Sequence, residues 1–483
     1  MKRTTLLTAI SFFFIISGII LACSSGLILD IIMGKLLDLT PGEVLYKKWI
    51  ESSPAMTFDI YFFNWSNPHD FSDESKKPSF SEIGPFRFNV RIEKVNVTYN
   101  NQNETMSYTR RKWYKFVREE SAQDLDFNVT ILNQLSAAIA YKARNMNFFK
   151  KKGSSMFISS VSNIHLTKRV GELLFEGFPD KTLDIFRMLD MKDVPEKFGY
   201  FYKKNGSNEG TFNIGTGRGQ FALGTLYSWN GQNSSKYYGE TCREISGASM
   251  DFYTDNIIEK KVEIFHPELC RKIPLDYAGK STVHGIEGQK FEVDDSFLDN
   301  GTIIPGNECF CADQCIRYGA VPAAVCKKKT NNYITLPHFL KADPFYASRV
   351  EGMKPNAKEH SFHVVVEPTT GFLLKLKARM QMNIYVEPIT GISMFENAPT
   401  VLFPIMWFQY SMKIPEDGAF TLGILLSLKG VFICVGIIFG IIGVLIYMLF
   451  IFDLSRDKQF VNEDFSYSIS REMSPLHEKK ING

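Results

Sequence analysis

The chain of 483 residues lacks both a Gly-x-Ser-x-Gly nucleophile turn and a His-Glu-x-x-His metal helix. Their absence removes the usual sequence marks of an α/β-hydrolase and of a zinc peptidase. A phosphate-cradling loop is missing as well. Ala278-Gly-Lys-Ser-Thr282 imitates its end, but Pro274 stands where the loop's first glycine belongs. Gly215-Thr-Gly-Arg-Gly-Gln220 has Gln220 in place of the third glycine of a dinucleotide fingerprint. The sequence therefore predicts no enzyme and asks for no cofactor. An excess of one charge is missing too. Lysine and arginine number 55 against 52 aspartates and glutamates, and the net charge of +3 is spread along the chain. That is not the footprint of a nucleic-acid partner. Low-complexity segments and internal repeats are absent.

Charge is absent altogether from Leu6–Leu29 and from Gly430–Phe452. As helices rising about 1.5 Å per residue, each spans roughly 35 Å, enough for a hydrocarbon core of about 30 Å. A cleaved signal peptide has an apolar run of about 7–15 residues, so the longer first stretch reads as a retained anchor. Lys2 and Arg3 on its short side place the N-terminus in the cytosol. The tail from 453 to 483 carries five basic and six acidic residues, and its charge decides nothing. Between the anchors lie seven Asn-x-Ser/Thr sequons, at Asn64, Asn96, Asn103, Asn128, Asn205, Asn233 and Asn300. Such sequons accept glycans only outside the cytosol. The expected layout is cytosolic residues 1–5, a membrane helix over 6–29, a glycosylated extracellular or lumenal domain over 30–429, a second membrane helix over 430–452 and a cytosolic tail over 453–483. Gly436 and Gly440 let another helix approach the second anchor closely, so a homo-oligomer is one expectation.

Of eight cysteines, Cys23 and Cys434 lie inside the anchors. The other six are Cys242, Cys270, Cys309, Cys311, Cys315 and Cys326, an even number in an oxidising compartment. Disulfides are expected there rather than zinc, although His338 and His360 are available as ligands. Fifteen pairings are open to six cysteines. On an extended stretch Cys309 and Cys311 would point to opposite faces and need different partners. A bridge from Cys242 or Cys270 into the cluster closes a loop worth about 4 kcal/mol in the chain-entropy model.

The interior of the chain is mostly strand-like. Phe86, Phe88, Val90 and Ile92 alternate with Arg87, Asn89, Arg91 and Glu93 over 85–99, the period of a half-buried strand. Residues 57–63 alternate less cleanly. Residues 361–392 read as two long strands around the turn Glu367-Pro-Thr-Thr-Gly371. Helix formers at helical spacing predict a helix over 128–149, and 165–178 reads as a second helix ending near Pro179. The fold class expected is α+β: a large antiparallel β body with a helical insertion over about 128–195.

Particular segments then bring a family into view. Asn331-Asn-Tyr-Ile-Thr-Leu-Pro-His-Phe-Leu-Lys-Ala-Asp-Pro344, the stretch 350–372, and Lys377-Ala-Arg-Met-Gln-Met-Asn-Ile-Tyr-Val-Glu-Pro388 closely resemble the class B scavenger receptors. So do Glu82–Phe88, Val170–Phe178, Glu308-Cys-Phe-Cys311 and the two-anchor layout, and the resemblance covers nearly the whole chain. It implies a β-barrel-like ectodomain with a helical bundle at its apex, two transmembrane tethers, and an apolar tunnel leading toward the membrane. It also implies a non-enzymatic receptor for fatty acids, sterols and sterol esters, phospholipids, lipoproteins, or protein and microbial ligands. An adhesion or pattern-recognition receptor, a pheromone-sensing member and a lysosomal member are the alternatives. Carried over residue by residue, the family's bridges are Cys242 with Cys309, Cys270 with Cys326 and Cys311 with Cys315. Acylated tail cysteines of some relatives have no counterpart in 1–5 or 453–483.

Ligand capture in the family resides in the helical insertion, which here contains Phe148, Phe149, Lys150, Lys151 and Lys152. Lysines beside exposed aromatics would guide anionic lipid surfaces, with His165, Lys168 and Arg169 expected on the same surface. The competing reading is a solvated charge run ending a helix whose phenylalanines are core. In the tail, His477 follows Glu472-x-x-x-Leu476 where a dileucine signal needs an aliphatic residue, and Tyr467 is followed by Ser470. Plasma membrane, with both termini cytosolic, is thus expected over lysosome.

Overall fold

The alternation at 85–99 becomes part of a single strand that buries Phe86, Phe88 and Val90 and leaves Asn89 and Arg91 exposed. The computed structural model describes residues 2–51, 55–73, 75–188, 194–253, 261–311, 314–323 and 331–472. Its helices are α1 (Lys2–Leu36), α2 (Val44–Glu51), α3 (Gln134–Ala143), α4 (Phe148–Val161), α5 (Thr182–Met188), α6 (Pro344–Ser348), α7 (Ala357–His360) and α8 (Glu416–Glu472). The chain divides into two compact units: the terminal segments through Lys35 and from Thr421, and the body Leu36–Phe420.

In the terminal unit α1 packs against α8. Thr5–Leu36 and Glu416–Arg456 are long and apolar enough to cross a membrane. Of the two notch glycines, Gly436 faces this chain's own first helix, whereas a Cβ on Gly440 would meet nothing within 4 Å among the described residues. A Cβ on Gly18 would lie 2.5 Å from Gly436 O and 2.8 Å from Gly440 N. Ser11 Oγ donates to Gly443 O at 2.8 Å, and Phe14 meets Phe439 edge-on at 5.5 Å.

The body is built on one antiparallel sheet. Its first strands are β1 (Met56–Trp65), β2 (Phe80–Asn100) and β3 (Thr105–Phe116). A separate pair, β4 (Asn128–Leu132) and β5 (His165–Arg169), carries the helical insertion. The sheet continues with β6 (Asn208–Gly215), β7 (Leu226–Trp229), β8 (Lys261–His266), β9 (Arg271–Val283) and β10 (Ile286–Val293). It ends with β11 (Val321–Pro322), β12 (Asn332–Thr335), β13 (His363–Val366), β14 (Leu373–Val386) and β15 (Val401–Lys413). The strand order is β7-β6-β3-β2-β1-β15-β14-β13-β10-β9-β8, with β12 also on β14. The two ends are stitched by the segment around Ala248. Leu226 N donates to Gly247 O at 2.8 Å, while Ala248 N donates to Glu263 O at 2.7 Å and Phe265 N to Ala248 O at 3.0 Å. The sheet is therefore nearly closed, which leaves few unpaired edges.

Two stretches differ from their expected helices. Residues 128–132 form β4, because Val129 and Ile131 are β-branched and the segment finds a partner in β5, Asn128 opposite Arg169. The helix starts only at Gln134, where Asn133 Oδ1 accepts from Leu135 N and Ser136 N at 3.1 and 3.3 Å. Residues 165–169 are β5, and Glu172–Glu176 make a single π-helical turn before Gly177. The second helix of the insertion is instead α4, started by Asn147, whose Oδ1 accepts from Lys150 N at 3.0 Å. The turn at 367–371 is as read: Glu367 carboxylate oxygens accept from Thr369 N and Thr370 N at 3.0 and 2.7 Å. The strand before it, β13, has only 4 residues.

Candidate functional site

The insertion presents an unusual helix surface. On one side α4 is fixed: Ile158 is fully buried with Leu135, Ile139, Leu183 and Phe186, and Ser155 Oγ accepts from Ser393 N at 2.9 Å. On the other, Phe148, Phe149 and Met156 are 66%, 83% and 76% exposed. Lys150 and Lys152 are exposed beside them and Lys151 is half-buried. The lysines sit in the first turns of α4 and the two phenylalanines are not core, contrary to the reading of a charge run closing a helix. Exposing two adjacent phenylalanines forgoes about 2–3 kcal/mol of burial each. His165 and Arg169 lie on β5 and have other partners. Arg169 pairs with Asp126 at 2.6 Å and Glu176 at 3.1 Å, and His165 stands edge-on to Trp65.

The cysteines act structurally. Cys242 is bonded to Cys309 and Cys311 to Cys315. Cys270 is disulfide-bonded as well, while its expected partner Cys326 falls outside the described residues. Among the described residues no group of three or more histidine, cysteine or acidic side chains is placed to hold a metal. His338 and His360 do come together, but as stacked rings 4.3 Å apart. Lys354 N donates to His338 Nδ1 at 3.1 Å, so Nε2 carries the hydrogen and donates it in a hydrogen bond to Glu82 at 2.7 Å. Trp407 Nε1 donates to the same Glu82 oxygen at 2.8 Å. Burial raises the Glu82 pKa, but these two hydrogen bonds together with the neighbouring His338 and His360 outweigh it and hold the carboxyl below its usual range. The Pro337-His338-Phe339 block thus locks a loop onto β2 and β15.

One constellation escaped the sequence reading. Lys94 on β2 lies opposite Arg110 on β3, and Ile92 opposite Lys112. All three cations are nearly buried, at 5%, 3% and 13% side-chain exposure. Glu209 receives Arg110 Nε and Lys112 Nζ, each at 2.7 Å. Burial opposes its ionisation, yet Lys112 and Arg110 pull its pKa down to about 2. Asp251 stands 3.7 Å from Lys94 and accepts from Tyr108 OH at 2.7 Å. The available signal was β3 itself, where Arg110 and Lys112 share alternate positions with buried Met106 and Tyr108.

Comparison with known proteins agrees with these features. The family model described as CD36 family matches residues 9–454. The chain is 34% identical to Protein peste of Drosophila melanogaster over 78% of its own length and 69% of that protein. It is 27% identical to Scavenger receptor class B member 1 of Bos taurus, covering 85% and 81% of the two chains. Against Lysosome membrane protein 2 of Homo sapiens the identity is 26%, over 83% and 85%. With two terminal apolar helices, a nearly closed antiparallel sheet and disulfide-bonded loops, the chain belongs to the CD36 family, the class B scavenger receptors.

Proposed function

We propose that the protein is a non-enzymatic receptor of the plasma membrane that captures anionic, lipidic ligands on α4 and passes them through the body's apolar interior to the bilayer. Fatty acids, sterol esters, phospholipids and lipoproteins are the ligand classes. The observation that carries this reading is the juxtaposition on α4 of Phe148 and Phe149, 66% and 83% exposed, with Lys150–Lys152. The cations attract an anionic surface and the rings take up acyl chains behind it. Transfer through water would cost about 0.8 kcal/mol per exposed CH₂, or roughly 11 kcal/mol for fourteen of them. A closed apolar path removes that barrier and needs no cofactor or energy source, since the lipid follows its own gradient. Both termini are cytosolic in this reading.

The test is lipid mass spectrometry on the purified glycosylated protein, with uptake measured in cells. Bound fatty acid or sterol ester is expected. Replacing Lys150, Lys151 and Lys152 together by glutamate lowers capture of anionic lipoprotein or vesicles several-fold while surface expression is unchanged. Recovery of no lipid, together with uptake unaffected by a bulky plug in the interior, would falsify the conduit. Unchanged capture by the glutamate variant would move the entry site off α4.

A further inference from the structure

A second site lies inside the body, where Lys94, Arg110, Lys112, Glu209 and Asp251 form one layer. Lys94 and Arg110 are direct cross-strand neighbours, a like-charge pairing that ordinarily destabilises a sheet. Among the described residues three cations face two carboxylates, an excess of one positive charge. Glu268, which is near, is 47% exposed and pairs with Lys204 at 3.8 Å. Donors are left over as well. Arg110 donates through Nε to Glu209 and through Nη1 to Ser249 O, but among the described residues its Nη2 has no partner, nor do Tyr253 OH and Trp49 Nε1. Arg110 is 3% exposed. A buried guanidinium nitrogen, a phenol and an indole without acceptors each forgo a hydrogen bond that solvent would supply.

The surroundings define what fits. Lys94 and Arg110 lie over the rings of Trp49 and Phe212, at 4.7 and 4.3 Å, which belong to one buried apolar cluster with Tyr108 and Phe265. On the other side Lys112 lies 4.8 Å from the ring of Tyr410, which packs on Phe58 and Phe408 of the main core. The charge layer is thus sandwiched between two greasy regions. A small free anion would satisfy the charge and leave the apolar walls unused. An amphiphile with one negative charge satisfies both.

We propose that this layer is an internal halting point for the carboxylate of a long-chain fatty acid, with Arg110 and Tyr253 donating to the head group and the tail lying among the flanking aromatics. The inference rests on the conduit reading above but places a selective station within it. Neutral lipids have no use for the excess charge, so they pass without halting.

Full-length protein in detergent is loaded with equal oleate and cholesteryl oleate, washed, and the retained lipids are quantified. Arg110→Gln is expected to lower oleate retention about ten-fold with the ester unchanged. Glu209→Gln, which raises the excess to two positive charges, is expected to increase oleate retention several-fold. It decides alone if Arg110→Gln fails to fold. An oleate-to-ester ratio in Glu209→Gln equal to that of the unmodified protein overturns the proposal and leaves the conduit standing. Loss of both lipids from the unmodified protein overturns the two together. Displacement of oleate by equimolar acetate reduces the site to a small-anion pocket and likewise overturns it.

Discussion

Glu82 shows how one side chain on β2 holds a distant loop in place. Its carboxylate is the shared acceptor of His338 Nε2 and Trp407 Nε1, and Trp407 in turn stacks on Tyr61 at 3.9 Å. Glu82→Ala strands two donors, each an unmade bond costing about 1–3 kcal/mol. The variant should melt several degrees lower, while Glu82→Gln, which keeps one acceptor oxygen, should lose less. Thermal unfolding followed by intrinsic tryptophan fluorescence ranks them; equal melting of both variants would contradict the account. The sequons also separate at this scale. Asn96, Asn128 and Asn233 are exposed, whereas Asn300 is half-buried and its Nδ2 donates to Ile316 O. We propose that the first three carry glycans and that Asn300 is bare in the folded protein. Glycopeptide mass spectrometry of protein from the cell surface checks this, and a fully occupied Asn300 would refute it.

The elements differ in how openly their sequences declared them. α1 and α8 were plain from uncharged length alone, since a bilayer demands it. The alternation in β2 and the 367–371 turn were equally plain, because a half-buried strand and a glutamate-bridged turn are local facts. Residues 128–132 and 165–169 misled because they become strands only through each other, and no local propensity reveals a partner thirty-odd residues away. The buried charge layer was hidden for a related reason: Lys94 and Glu209 look like surface residues until the sheet register turns them inward. The glycine notch of α8 was legible, but not its occupant. Here Gly18 lies against Gly436, and Gly18→Leu would drive a side chain into Gly436 O, 2.5 Å from the new Cβ. Helix association in lipid rests on such close packing. Cysteines replacing Phe14 and Phe439, whose rings meet edge-on, should be bridged readily by a short bifunctional maleimide in an otherwise unmodified chain. In Gly18→Leu that cross-link should fall several-fold; an undiminished yield would show that the two helices do not meet at this notch.

Across the whole body Leu36–Phe420, the sheet nearly closes around a core that leaves His360 and His363, among other histidines, little water. His360 and His363 are 5% and 8% exposed. Burial, and then the neighbouring His338, brings His360 down to about 4. Burial, followed by Lys290, Arg379 and Lys375, brings His363 to about 4 as well. In the unfolded chain both titrate near 6.5. Between those values the unfolded state binds the protons and the folded state does not, so stability falls as pH drops from about 6.5 toward 4. At pH 5 each histidine removes at most about 2 kcal/mol. The buried carboxylate of Glu209 acts in a different window. Its folded value near 2 contributes stability that is complete above its unfolded range and is lost only as pH falls from about 4.5 toward 2. A fall in melting temperature between pH 7 and 5 therefore belongs to the histidines and not to the charge layer. Burial brings His266 down to about 4 too, so three imidazoles share that fall, and His363→Gln should flatten it by about a third while leaving the loss below pH 4.5 in place. A body whose melting temperature is level from pH 7 to 5 would mean that these imidazoles accept protons without unfolding, and an acidic compartment would then be as tolerable to it as the cell surface.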